Sequence, residues 1–212
     1  MKLCWYFDFI SPFAYIQLKQ FERLPSNVEI EFKPILLAGL LNHWQNVGPA
    51  EIAPKRIFTY KHCYWKAKSL GIQFNMPPAH PFNSLMALRL AIAMNCSSQA
   101  ITCIFDAIWK LGYSLEGEEC IQFLQNSLKN NDILSLVSND DIKQKLKENT
   151  EQAASIGVWG VPTFVVEEYK NELFWGLDSF DMLLDFVNEP KAFKDEQMLK
   201  IESLPEGIQR KR

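Results

Sequence analysis

Three short stretches carry residue types able to do chemistry: Ser11-Pro12, Gly160-Val161-Pro162-Thr163 and Gly176-Leu177-Asp178-Ser179. The first follows Leu3 to Phe9, an aromatic and apolar run around one acid, Asp8. Serine is a favoured N-cap and proline suits a first helical turn, so a strand there gives way to a helix. A helix N-terminus presents unpaired N–H groups and the positive end of its dipole. Such a place holds an anion, and a thiolate is an anion. As an ordinary N-cap, Ser11 needs no such role, and these residues alone leave both readings open. In the second stretch a proline opens a strand, and X-Pro is the peptide bond for which cis costs little. A cis Val161–Pro162 bond would turn the Val161 backbone outward to pair with a peptide-like ligand; a trans proline on an edge strand is the plainer alternative. In the third, Asp178 is either a helix cap or a carboxylate for a ligand's ammonium.

Other chemistries find little support. The five cysteines, Cys4, Cys63, Cys96, Cys103 and Cys120, contain no C-x-x-C pair, and read as reduced, packed thiols. The three histidines, His43, His62 and His80, are too dispersed for a metal motif. A net charge of −3 gives no reason to expect nucleic acid or an anionic membrane as partner. No apolar run approaches the ~18 residues of a membrane span. Asp8 falls where the apolar core of a signal peptide would lie, so a cytoplasmic location is expected.

The elements that must position these stretches follow from pattern. After the first strand a helix is expected from Phe13 to about Arg23, then an alternating strand, Val28 to Pro34. Strand, crossover helix and strand make a βαβ unit with the strands parallel. Ile35 to Arg56 reads as irregular. Helices are expected over about 55–70, 84–94, 99–112, 116–130, 132–136 and 140–156. Strands return at Pro162–Glu168 and Glu172–Trp175 as an antiparallel hairpin, and a last helix covers Ser179–Asn188. The order βαβ, helical block, ββα is that of an α/β thioredoxin-like fold with a large all-helical insertion. It divides the chain into a thioredoxin-like domain (1–38 and 157–190), an inserted helical domain (39–156) and a charged extension (191–212). The extension reads as solvated, with a helical piece at about 194–201 and a basic end, Arg210-Lys211-Arg212.

On these motifs the sequence resembles the branch of the DsbA-like superfamily that holds 2-hydroxychromene-2-carboxylate isomerases and kappa-class glutathione transferases. YFDFISPFAYI, QNVGP, HPFNSL, GVPTFVV and FWGLDSFDML occur in that family's order and spacing, from Lys2 to Asn188. QNVGP and HPFNSL favour the isomerase branch. The superfamily's disulfide oxidoreductases carry C-x-x-C where this chain has Ser11-Pro12-Phe13-Ala14, and without a thiol there dithiol exchange by that route is excluded.

The resemblance implies an enzyme that borrows its thiol from glutathione. Ser11 would be the catalytic residue, donating a hydrogen bond to the glutathione sulfur. Asn46 would lie near that sulfur, and Lys55, with Arg56 as its rival, would meet the glycine carboxylate. Val161, before Pro162, would pair with the cysteinyl backbone, and Leu177 and Asp178 would hold the γ-glutamyl end. The isomerase pattern is usually G-N-D-R, and here it is Gly176-Leu177-Asp178-Ser179. The reaction implied is glutathione-dependent cis-trans isomerisation, by reversible thiolate addition to a small, ring-opened aromatic substrate, in aromatic-compound catabolism. A homodimer is the family's habit. Trp44, Tyr60, Tyr64, Trp65 and Trp109 are candidates to wall the substrate site or to serve as ordinary core. The rivals are a kappa-like glutathione transferase or peroxidase, which consumes glutathione, and a non-catalytic thioredoxin-like binding protein.

Overall fold

The computed structural model describes residues 1–207. Four strands form one mixed sheet in the order β2-β1-β3-β4: β1 is Lys2–Phe7, β2 Glu29–Pro34, β3 Thr163–Val166 and β4 Glu172–Trp175. β1 and β2 are parallel, with Lys2 opposite Glu29 and Phe7 opposite Pro34. β3 is antiparallel to both of its neighbours. The parallel pair is joined through α1, Pro12–Leu18, as the βαβ rule requires. Between β2 and β3 lie α2 (Leu37–His43), α3 (Ala53–Ser69), α4 (Leu85–Ala93), α5 (Ser98–Phe105), α6 (Glu118–Leu128), α7 (Ile133–Leu136) and α8 (Asp140–Ser155). After the sheet come α9, Phe180–Asn188, and α10, Glu196–Glu202. This is a thioredoxin fold with helices inserted between its two halves. Among the described residues no helix is long and apolar enough to cross a membrane.

Several elements differ from expectation. α1 stops at Leu18, and a separate 3-10 turn, Phe21–Arg23, covers the rest of the expected helix. The segment after β2 is not irregular throughout: it holds α2, whose apolar run lacked a capping side chain to announce it. The helix expected from residue 99 to Gly112 changes to π-type geometry over Asp106–Lys110. The tail is not simply solvated. Phe193 packs on Phe186, with ring centroids 5.2 Å apart, and the Lys194 ammonium lies 5.8 Å from the Tyr169 ring. The basic end, Arg210-Lys211-Arg212, lies outside the described residues.

The core is built on β1. Trp5 is fully buried, stacks on Phe7 at 4.5 Å, and meets Phe21 edge-on at 4.9 Å. Its indole N–H donates to Gln17 Oε1 at 2.6 Å, and Gln17 Nε2 donates to the Gly176 carbonyl at 2.9 Å. Sheet, first helix and the turn before α9 are thereby tied through one buried amide. Trp109 plays the matching part from the insertion: it is fully buried, stacks on Phe74, and donates to the Phe9 carbonyl at 2.8 Å. Buried carbonyls without a donor are costly, so this bond holds the turn after β1 to the helical block. We predict that Trp109→Phe, which leaves the Phe9 carbonyl unpaired beside a cavity, destabilises the chain by about 2–4 kcal/mol. Urea denaturation reads this as a lowered midpoint at unchanged m. A loss below about 0.5 kcal/mol would show that the bond does not couple the two parts.

Candidate active site

The turn from Asp8 to Ser11 connects β1 to α1, and almost every polar group in it is answered. Ser11 N–H donates to the Asp8 carbonyl at 3.0 Å. Asp8 Oδ1 accepts from Ile10 N–H at 3.0 Å, and Oδ2 accepts from Leu37 N–H, in α2, at 2.9 Å. The Ser84 side chain, just before α4, adds a third bond. Burial pushes the Asp8 carboxyl above its ordinary range, and these three bonds pull against that shift. His80 Nε2 meets the Ile10 carbonyl at 2.8 Å, and its Nδ1 lies 2.7 Å from the Tyr60 hydroxyl. A carbonyl only accepts, so Nε2 must carry a proton in neutral His80, and the one Tyr60 O–H proton is shared between Nδ1 and the His80 carbonyl, 2.9 Å away.

Ser11 is almost wholly buried and serves as the N-cap: its Oγ accepts from Ala14 N–H at 3.2 Å. Its hydroxyl proton has no acceptor among the described residues, so capping leaves the hydroxyl free to donate outward. Phe13 N–H, in the first turn, has no carbonyl partner either, while Pro12 contributes none. Beside these donors opens a cavity of about 610 Å³, lined mostly by apolar side chains. Asp8, Ser11, Asn46, Tyr60, His80 and Val161 supply polar groups to it. Asn46 Oδ1 is occupied by Val47 N–H at 2.8 Å, which leaves its amide hydrogens to face a ligand. The Val161–Pro162 bond is cis. Among the described residues neither backbone group of Val161 takes part in a hydrogen bond, so both stand available.

The remaining residues singled out from sequence sit away from the cavity lining. Pro162 is buried behind Val161, and its carbonyl accepts from Gly176 N–H at 2.8 Å. That bond brings Gly176-Leu177-Asp178 to the same edge of the sheet. Leu177 is buried, whereas Asp178 is exposed with its carboxylate folded back over Gly176. A Cβ on Gly176 would stand 2.6 Å from Asp178 Oδ1, and φ there is +88°, so glycine is required. Lys55 is exposed on α3 and does not line the cavity. Arg56, its rival, is close enough to Tyr60 to act on the phenol's charge. Of the five aromatics proposed as walls only Tyr60 lines the cavity. Trp109 is core, Trp44, Tyr64 and Trp65 are exposed, and the Trp44 indole donates to the Val158 carbonyl.

Sequence reasoning assigned no role to Asp8, Glu51 or His80, all of which line the cavity. The signal was present: residues 80–85, HPFNSL, and Asn46, Gly48 and Pro49 of QNVGP are all lining residues. Glu51 caps that second segment by accepting from Gly48 N–H at 2.6 Å.

The fold and this junction define a thioredoxin-like protein that presents a serine, not a cysteine pair, at the head of its first helix. A family model described as a DSBA-like thioredoxin domain matches residues 2–188, and the chain belongs to that family. Its relatives include glutathione S-transferase kappa 2 of Caenorhabditis elegans, 24% identical over 204 residues, covering 87% of this chain and 91% of the relative. They also include 2-hydroxychromene-2-carboxylate isomerase of Pseudomonas sp. (strain C18), 26% identical over 193 residues, covering 86% and 88%. Among solved structures, a 2-hydroxychromene-2-carboxylate isomerase superposes with a TM-score of 0.77 at 23% identity, over 93% of this chain and 99% of the other.

Burial holds the His80 imidazole below its ordinary value of 6.5, with the Ile10 carbonyl opposing. The unfolded chain therefore takes up this proton first as pH falls, and stability due to His80, complete above 6.5, is lost below it. We predict that thermal midpoints fall between about pH 7.5 and pH 5, and that His80→Gln flattens this slope. An unchanged slope in the variant would remove His80 as its source.

Proposed function

We propose that this chain is a glutathione-dependent enzyme and, more narrowly, an isomerase of the 2-hydroxychromene-2-carboxylate type. The observation that carries the reading is the junction itself: a nearly buried serine whose hydroxyl proton has no acceptor among the described residues, at a helix head that lacks any thiol of its own. Relatives named as kappa glutathione transferases and 2-hydroxychromene-2-carboxylate isomerases over most of the chain support the cofactor class. The residues present fit it. Val161 offers an unpaired N–H and C=O to a tripeptide backbone, and the cavity has room for a small aromatic substrate beside it.

When bound, glutathione supplies the thiolate that adds reversibly to the conjugated substrate and is released unchanged. The chain's part is electrostatic and positional. Ser11 Oγ–H and Phe13 N–H donate to negative charge developing at the helix head, with the dipole of α1 adding to both. Asn46 donates its amide hydrogens across the cavity from them. Asp178 would take the ammonium of the γ-glutamyl end, Leu177 its carboxylate through the backbone N–H, and Lys55 or Arg56 the glycine carboxylate. The apolar lining excludes water, which strengthens each of these interactions. Asp8 and His80 hold the Ile10–Ser11 backbone in place and keep the hydroxyl directed at the cavity.

The test is Ser11→Ala, which removes one donor to the sulfur. We expect turnover of a chromene carboxylate to fall about 100-fold, and the thiolate absorbance of bound glutathione to weaken in step. Binding itself should survive through Val161. An Ser11→Ala variant with full turnover and an unaltered thiolate signal would sink the proposal.

A further inference from the structure

A second cavity, of about 510 Å³, opens between α2, α4 and α8 and shares Leu36 and Leu85 with the first as a common wall. Its walls are largely aliphatic, from Leu36, Leu85, Leu146 and Ala154. Into them α4 delivers Arg89, one turn beyond Leu85 and so on the same helix face. Arg89 Nε is buried with no hydrogen-bond partner, and its guanidinium has no carboxylate partner among the described residues. The neighbouring α8 lysines are differently placed. Lys143 pairs with Asp140 at 2.8 Å and Lys147 with Glu151, the one acidic residue among the described residues lining this cavity, at 3.8 Å, and all four side chains are largely exposed. Exposed pairs of that kind contribute little and leave the charge of Arg89 unanswered. Thr150 is committed as well: it accepts from Leu36 N–H and donates to the Leu146 carbonyl.

A buried donor without a partner is costly, and a guanidinium presents its donors in a planar fork that matches a carboxylate. We propose that this cavity is a second binding site, separate from the Ser11 cavity, for a small carboxylate carried on an apolar body. Arg89 takes the carboxylate, Lys147 supports it from the rim, and the leucine walls take the aromatic or aliphatic part. Inorganic phosphate satisfies Arg89 but leaves the aliphatic walls unfilled, so the site distinguishes the two. The inference does not depend on glutathione use.

Titration of the full chain with 4-fluorobenzoate, followed by fluorine NMR, tests it in wild type, Arg89→Met and Lys147→Glu. Arg89→Met keeps the apolar stem, and Lys147→Glu alters only an exposed side chain, so a folding defect in the first leaves the second informative. Saturable binding that weakens at least tenfold in Arg89→Met and several-fold in Lys147→Glu, with phosphate unable to compete, is the expected result. Affinity unchanged in both variants, competition by phosphate at equal concentration, or no saturable binding at tens of millimolar would overturn the proposal.

Discussion

A buried turn must have its backbone polar groups answered, and the turn from Asp8 to Ser11 is answered largely from outside its own fold unit. Trp109 donates to the Phe9 carbonyl, His80 to the Ile10 carbonyl, and Asp8 accepts from Leu37 and Ser84. All four partners come from the chain between β2 and β3. A thioredoxin sheet alone would leave these groups unpaired in an apolar surround, at a cost that a marginally stable domain cannot absorb. The helical insertion is therefore part of what gives Ser11 its position. The same contacts place α2, α4 and the α3 phenol Tyr60 around the cavity that Ser11 opens into.

This arrangement separates two tasks that a cysteine pair would combine. The helix head supplies donors and a dipole, while Ser11-Pro12-Phe13-Ala14 places no thiol of the chain's own there. On the proposed reading such a site would stabilise charge on something brought to it. Val161, unpaired among the described residues, offers an edge along which an extended peptide would lie, and the adjoining apolar volume of about 610 Å³ has room for a second molecule. The five cysteines reinforce this division. Cys4, Cys63, Cys96 and Cys120 have their thiols pushed up to between about 11 and about 12 by burial, so they are held as inert thiols at neutral pH.

The strands and the junction were legible because their signals are local. Alternation in VEIEFKP, the Ser-Pro pair after an aromatic run, and the Tyr169-Lys170-Asn171 connection each prescribe geometry within a few residues. Lys170 and Asn171 do adopt positive φ, but β3 ends at Val166, short of the expected Glu168, and a 3-10 turn, Glu167–Tyr169, lengthens the connection. What was not legible depends on distant partners. α2 has no capping side chain and owes its placement to α8, where Thr150 answers the Leu36 N–H. Asp8 looked like an interruption of a strand because its partners lie about thirty and eighty residues on. Aromatic spacing on α3 does not reveal that Tyr60 faces the cavity while Trp65 faces solvent. The early stop of α1 at Leu18 is likewise tertiary, since Phe21 must leave the helix path to pack on Trp5 and Phe164.

The most direct measurement is a crystal structure of the chain with glutathione. The account predicts the sulfur within hydrogen-bonding distance of Ser11 Oγ and Phe13 N, with the cysteinyl backbone paired to Val161. Glutathione bound elsewhere, or a sulfur directed away from Ser11, would contradict it.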